Sequence, residues 1–242
     1  MSSSGDDLAE LHRQNDARLQ EIEATAKEQP LTSELQSVSL LPQVHDVTRT
    51  RRVRGDGNCY YRAFLYQLCE RLLEADDTAA AQFLQWIKVD SWKQVLAADY
   101  EELMLEAFYD TIVELLEKVV HKKHTKETLH QELNEENGTS DYCTWYLRVV
   151  TATHLKSDPD RFLPFVTTPG LDMAQFCQRE VEPMGQECEQ VQVLALAEAT
   201  GVQVTIDYLV QEQVTRHVFG PEDAKIRLHL LYRPGHYDIL YP

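Results

Sequence analysis

Cys59 stands in the segment Gly55-Asp56-Gly57-Asn58-Cys59-Tyr60-Tyr61-Arg62-Ala63-Phe64, where a glycine-rich turn runs into an amphipathic stretch. A cysteine at a helix start faces the positive end of the helix dipole and backbone N–H groups without intrahelical acceptors. Both favour thiolate over thiol. The thiolate is a nucleophile suited to covalent catalysis. Near the other end, Pro234-Gly235-His236-Tyr237-Asp238-Ile239-Leu240-Tyr241 places a histidine on an apolar, strand-like run with a carboxylate two residues later. On a strand those two side chains project from one face. Asp238 could then hold one ring nitrogen of His236 and present the other to sulfur. Backbone N–H groups around Asp56, Gly57 and Cys59 could meet a developing oxyanion, and Gly55 and Gly57 let that backbone turn. Nucleophile, base, orienting group and oxyanion donors are the four parts a thiol peptidase needs.

Each part has a plainer reading. A lone cysteine is more often a small buried residue, and a lone histidine is usually surface or core. Asp56 or Asn58 could simply cap the helix. Gly-Asp-Gly-Asn is not a phosphate loop, because it lacks the lysine and places an acid where phosphate would sit. His121, His124 and His130 fall among Lys122, Lys123 and Lys126 without a cysteine or HExxH pattern, so cations near a helix C-terminus explain them better than a metal does.

These residues need elements to hold them. Tyr61, Phe64, Leu65, Leu68 and Leu72 recur at three- and four-residue spacing, predicting a helix from Asn58 with one core face that Cys69 joins or borders. Residues 79–156 read as mainly helical. Leu103, Ala107, Phe108, Ile112, Leu115, Leu116 and Val119 mark one apolar stripe, and a further helix is expected near 140–153. Phe162 to Gly170 reads as a loop, and Met173 to Arg179 as a short helical piece. Val191 and Val193 alternate with glutamines before a short helix over 194–200 that Gly201 ends. Val202, Val204, Ile206 and Tyr208 alternate, as do Ile226, Leu228 and Leu230, and Arg233-Pro234-Gly235 turns the last strand into a hairpin. Helices first and antiparallel-looking strands last make an α+β layout. Arg49, Arg51, Arg52 and Arg54 read as a charged strand edge or as a contact for an acidic segment. Residues 1–48 are polar, with helix formers and a thin apolar stripe over 6–28; they read as a helical arm and linker ahead of a domain at 49–242, or equally as a solvated tail.

The chain has 242 residues, 40 acidic and 23 basic, for a net charge of −17. Such a chain repels phosphate backbones, so nucleic acid is a poor partner and a basic protein surface a better one. Hydrophobic residues make up 43%, enough for a core. The five cysteines are odd in number and show no CxxC spacing, which argues against a disulfide framework or zinc ribbon and for a reducing compartment. No apolar run approaches the roughly 20 residues of a membrane-spanning helix. The sequon Asn137-Gly138-Thr139 then carries no weight.

Taken together, Gly55 to Ala63, Ser140-Asp141-Tyr142, Phe176-Cys177, Val181-Glu182-Pro183-Met184 and Leu231 to Tyr241 resemble the ovarian-tumour-type (OTU) deubiquitinases, and among them the otubains. The resemblance implies a papain-like OTU fold, with a central, mostly antiparallel sheet, a flanking helical subdomain and an N-terminal helical arm. It implies a cofactor-free, metal-free cysteine peptidase that cuts isopeptide bonds after the C-terminus of ubiquitin. Cys59 would be the nucleophile, His236 the general base, Asp238 its orienting group, and Asp56 a support of the oxyanion region. Partners would be ubiquitin, polyubiquitin chains and, in some members, ubiquitin-conjugating enzymes. The protein would be a monomer in the cytoplasm and also the nucleus. A second function fits the same resemblance: binding ubiquitin and a conjugating enzyme to inhibit transfer without cutting. Tyr60 stands where the family more often has Phe, the connection from arm to Arg54 is shorter, and Glu189 to Val193 replaces a histidine-containing stretch. Linkage preference and distal-ubiquitin contacts therefore do not carry across.

Overall fold

The computed structural model describes residues 28–37, 47–211 and 213–242. The expected arm over 6–28 lies almost wholly outside them. Leu31 is buried, Thr32 bridges Val53, and strand β1 (Gln36–Ser37) pairs antiparallel with β2 (Arg49–Arg51). The folded body therefore already includes residues ahead of the expected boundary at 49.

The remaining strands are β3 (Gln203–Val210), β4 (Gln213–Phe219), β5 (Arg227–Arg233) and β6 (His236–Tyr241). One six-stranded sheet runs β1-β2-β6-β5-β3-β4, with only the β3–β5 pair parallel. The chain is thus α+β with a mostly antiparallel sheet, as its sequence predicts. β4 was not legible: Gln213-Val214-Thr215-Arg216-His217-Val218-Phe219 is a largely exposed edge strand, so no buried face imposes an apolar alternation.

Helix α1 (Cys59–Glu74) is the central element. The expected apolar face is there, but every residue from Cys59 to Glu70 is buried, because sheet and helices enclose it on all sides. Its polar residues consequently need partners. Gln67 donates to the Leu240 carbonyl at 2.9 Å and accepts from the His229 N–H at 2.7 Å; Glu70 accepts from the Tyr241 hydroxyl at 2.7 Å. These bonds bolt α1, and so Cys59, to β5 and β6. At the far end, the Lys122 ammonium donates to the Leu72 and Leu73 carbonyls at 2.9 and 2.8 Å, satisfying acceptors that a helix C-terminus leaves open.

Helices α2 (Asp77–Gln85), α3 (Trp92–Ala97), α4 (Glu102–Val120), α5 (Lys126–Leu133) and α6 (Thr139–Ser157) build the helical layer. Leu105, Ile112, Leu115, Leu116 and Val119 form the buried stripe of α4, whereas Leu103 and Ala107, expected on it, are exposed on the first turns. His121, His124 and His130 do not converge: His124 pairs with Glu132 at 3.0 Å and His130 with Glu34 at 3.1 Å. Short α7 (Pro159–Phe162) and α8 (Met173–Phe176) follow; α7 ends where the expected loop begins, and a 3₁₀ turn, Leu163–Phe165, lies inside that loop. Helix α9 (Gln190–Thr200) starts earlier than expected. Glu189 and Gln192 form a capping box, so the Val191/Val193 alternation is helical. Gly201 ends it at φ 67°.

The arginine cluster divides. Arg49 and Arg52 are exposed. Arg51 is buried 3.7 Å from Glu70 and 5.0 Å from the Tyr66 ring, and Arg54 is buried against Glu136 and the Gln29 carbonyl. β2 is also not an edge, since β1 and β6 flank it.

Candidate active site

Cys59 is the first residue of α1, and the turn before it is fixed from both sides. Gly57 has φ +76°, and a Cβ there would lie 1.9 Å from the Gly185 carbonyl oxygen, so only glycine fits. Asp56 accepts from the Asn58 N–H at 3.0 Å and from Arg62 Nη1 through both carboxylate oxygens at 2.9 Å. Arg62 also donates to Asp141 at 3.0 Å. Asp56 therefore holds the turn that leads into α1 and makes no capping bond to the helix interior. Asn58 is the N-cap residue, but its side chain does not cap. Its Oδ1 accepts from the Gly185 N–H at 2.9 Å and from Arg148 Nη2 at 2.8 Å. With the Asn58 N–H taken by Asp56, the Cys59 N–H is the nearest first-turn donor left for a substrate oxygen.

His236 opens β6 directly after the turn at Gly235, which has φ +75°. Its Nε2 bonds Asp238 Oδ1 at 2.9 Å, and Gly55 packs beside the ring, where a Cβ would meet Nδ1 at an ordinary van der Waals distance of 3.5 Å. The Cys59 thiol adjoins the imidazole, whose Nδ1 is the nitrogen that Asp238 leaves free. Asp238 is buried; Oδ1 also accepts from the Val53 N–H at 2.9 Å, and Oδ2 accepts from Arg233. Burial disfavours imidazolium, but the bonds to Asp238 and Cys59 outweigh it and lift His236 to about 9. For Asp238, burial opposes ionisation, yet His236, the Val53 N–H and Arg233 hold its carboxyl below the ordinary range. At neutral pH the histidine is therefore cationic and the aspartate anionic. A cation beside the sulfur is what a cysteine nucleophile needs.

A groove of about 860 Å³ runs past Cys59, walled by the Gly185–Glu189 loop, the start of α9, and Tyr208, Tyr232 and Tyr237. The three tyrosine rings pack tilted against one another, with centroids 4.8 and 5.0 Å apart. Glu180, Glu187 and Glu189 add negative charge to its rim. That combination suits an extended, basic peptide segment. It holds no cluster of three or more potential metal ligands among the described residues.

The structure brings together the sequence-predicted Cys59, His236 and Asp238 and places Asp56 one turn behind the nucleophile. Reading the sequence missed Asn58 as a clamp, the Arg62–Asp141 pair, Arg148 and the groove-lining Cys188. Arg148 did carry a signal: it is the lone charge in Tyr146-Leu147-Arg148-Val149-Val150. Cys188 carried none, because only the fold brings the 185–189 loop to Cys59.

A sequence model of the family described as Peptidase C65 Otubain matches residues 11–242. The chain is 36% identical over 194 residues to the ubiquitin thioesterase OTUB1 of Homo sapiens, covering 79% of this chain and 69% of that protein. It is 30% identical over 249 residues to the otubain-like ubiquitin thioesterase of Caenorhabditis elegans, covering 93% and 86%. Among solved structures it is similar to a ceOTUB1, ubiquitin aldehyde and UBC13~Ub complex, with TM-score 0.80 and 27% identity over 93% of this chain and 98% of that one. An h/ceOTUB1, ubiquitin aldehyde and UBCH5B~Ub structure gives TM-score 0.80 and 26% identity over 95% of this chain and 98% of that one.

Proposed function

The chain belongs to the peptidase C65 otubain family, and from that membership we propose that Cys59, His236 and Asp238 carry its hydrolytic chemistry. It is a cysteine-type ubiquitin hydrolase. The thiolate of Cys59 attacks the carbonyl carbon at the C-terminus of ubiquitin, and the Cys59 N–H meets the oxygen that becomes negative. His236 then protonates the departing amine as the tetrahedral intermediate collapses to a thioester. The neutral imidazole next takes a proton from water, whose oxygen displaces the sulfur and frees the ubiquitin carboxylate. Asp238 keeps Nε2 engaged so that Nδ1 serves the sulfur throughout. The reading rests on one observation: the buried thiol at the head of α1 lies beside an imidazole that a buried aspartate holds at 2.9 Å. A ubiquitin probe bearing a C-terminal electrophile should label Cys59, and Cys59→Ala should abolish both labelling and chain cleavage. A cleaving Cys59→Ala protein would end this assignment. A panel of di-ubiquitin linkages with the same control assigns linkage.

Ubiquitin-conjugating enzymes are the second partner, because the similar solved structures hold UBC13~Ub and UBCH5B~Ub. A non-catalytic role in blocking ubiquitin transfer is compatible with cleavage in one chain. Cys59→Ala should retain inhibition of a conjugating enzyme if the two roles are separate, and lose it if inhibition is merely cleavage of products. The five buried free thiols fit a reducing cytosol or nucleus, which imaging of a fluorescent fusion tests.

A further inference from the structure

Arg148, in the middle of α6, is a fully buried cation without an anion. Nη1 donates to the Val181 carbonyl at 2.9 Å. Nη2 lies 2.9 Å from the Gly57 carbonyl, 2.8 Å from Asn58 Oδ1 and 2.8 Å from the Gln186 carbonyl. Nε is buried with no partner, and the guanidinium sits 4.5 Å over the Tyr61 ring. All its acceptors are neutral, and among the described residues no carboxylate reaches it. Its neighbour Arg62, equally buried, has two carboxylates, Asp56 and Asp141. A buried, uncompensated ion is costly, and a neutral side chain of similar size would be cheaper to bury.

The contacts place that charge behind the nucleophile. Arg148 holds the carbonyl of the Gly57–Asn58 peptide while Asp56 holds its N–H, so the peptide before Cys59 is clamped at both ends. Through Val181 and Gln186 it ties the same turn to the groove wall. The groups facing Cys59 are His236 and Tyr237 from β6 and Cys188 from the wall loop. Glu187 and Glu189 line the adjoining groove, and the Asp56–Arg62 pair closes the turn. Burial drives the Cys188 thiol up, so it stays protonated. Among the described residues Glu187 and Glu189 on this side have no ion pair either, and His236 already faces the sulfur, so the charge of Arg148 adds to that of His236 around the anions catalysis creates, the thiolate and the substrate oxyanion.

We propose that Arg148 is a positioning residue of the hydrolytic site, a permanent buried cation that locks the Gly57–Asn58 peptide and whose charge, matched by no carboxylate, joins that of His236 in favouring the Cys59 thiolate and, later, the oxyanion. This rests on the hydrolase reading above.

The test uses the full chain and two readouts: the pH profile of Cys59 alkylation by iodoacetamide, resolved by mass spectrometry, and kcat and KM on a fluorogenic ubiquitin C-terminal amide. Arg148→Met should raise the acid limb of alkylation by about one pH unit and lower kcat about 100-fold, with KM changed less than kcat. Arg148→Lys, equally shortened but charged, should keep the acid limb and lose less kcat. Asn58→Asp leaves Arg148 and its carbonyl contacts in place and gives it a carboxylate; its acid limb should rise as well. A folded Arg148→Met or Asn58→Asp protein with the wild-type acid limb would overturn the proposal. If Arg148→Met does not fold, Asn58→Asp decides; if Asn58→Asp does not fold, Arg148 was not short of an anion and the proposal also falls. A wild-type chain that alkylates at Cys59 but cleaves nothing would instead refute the hydrolase reading.

Discussion

Two clusters of the same three residue types sit on one face of the sheet. In the first, buried Asp207 on β3 bonds His229 of β5 at 2.6 Å and Arg216 of β4 at 2.7 and 2.9 Å. In the second, buried Asp238 on β6 bonds His236 at 2.9 Å and Arg233 of β5. Asp207, Leu231 and Asp238 are in register across β3, β5 and β6, so one leucine separates the clusters. Their histidines nevertheless move in opposite directions. Burial lowers His229, and Asp207 does not compensate, because Arg216 and Arg71 repel a second cation. Arg216 also takes both oxygens of Asp207. Burial works against His236 too, but Arg233 engages only Oδ2, Asp238 Oδ1 serves the ring, and Cys59 adds an anion-forming neighbour. A His–Asp pair is therefore not a catalytic signature by itself. What the aspartate's remaining partners leave unused, and what faces the free nitrogen, decides its chemistry.

Removing each histidine breaks the comparison most sharply. His236→Asn should lower kcat on a ubiquitin substrate by about 10³-fold or more, since the proton shuttle is lost. His229→Asn should leave kcat within about threefold, because no nucleophile faces that ring. Equal losses would mean that the two clusters are coupled through the sheet.

The aspartates should separate activity from stability. Asp238→Asn offers an N–H₂ or a weaker acceptor to His236, so the charged ring loses its support and kcat should fall about 10²-fold or more. Asp207→Asn removes the carboxylate that His229 and the half-exposed Arg216 share and should destabilise the fold by about 1 kcal/mol in a urea titration. Its kcat should not change. An Asp207→Asn protein of wild-type stability would show that the first cluster contributes nothing to the fold.

Much of this was readable in the sequence where one residue type faces one demand. The glycines at 55 and 57, the thiol at a helix start, and a histidine and aspartate two apart on a strand each carry their geometry locally. So do the helical spacing from Tyr61 to Leu72 and the alternation on β3 and β5. Contacts made by long-range closure were not readable. Asn58 looked like a cap because its identity permits one; it is used instead by Gly185 and Arg148, which are remote in sequence. Asp56 reads as a support of the turn before Cys59 or as a helix cap; it holds the Asn58 N–H, but its partners Arg62 and, through it, Asp141 were not readable. The arginines at 51 and 54 looked like surface charge because nothing local announces Glu70 or Glu136.

The pH response should differ in sign between the clusters. His236 rises from 6.5 to about 9 on folding, so the folded chain holds more protons than the unfolded one between those values. Its contribution to stability is complete below about 6.5 and is lost as pH rises through about 9. The hydrolytic rate should fall over the same alkaline limb as the leaving-group acid is lost. His229 is lowered on folding, so its contribution is present above 6.5 and is lost as pH falls through its depressed value. Urea midpoints across pH 5–10 should show His236→Asn flattening the alkaline side alone and His229→Asn the acid side alone. The reverse pattern would mean that the protonation states are exchanged.

The smallest effect should come from Arg233. Its side chain is 44% exposed, and it touches only the Asp238 oxygen that the histidine does not use. Solvent can replace much of an exposed guanidinium, and exposed pairs contribute roughly 0–1 kcal/mol. The Val53 N–H and His236 still hold Oδ1 after Arg233→Gln. Losing one cation near Asp238 weakens the carboxylate's hold on its charge slightly and leaves the imidazolium as its main counter-ion. The expected result is a drop in kcat of about threefold or less, an unchanged KM and an unmoved alkaline limb. Salt separates this from a direct role in binding ubiquitin. If Arg233 only screens Asp238, wild type and Arg233→Gln should respond alike to added salt. A KM that rises in the variant, with its salt dependence gone, would place Arg233 on the substrate-binding surface and take it out of the comparison with Arg216.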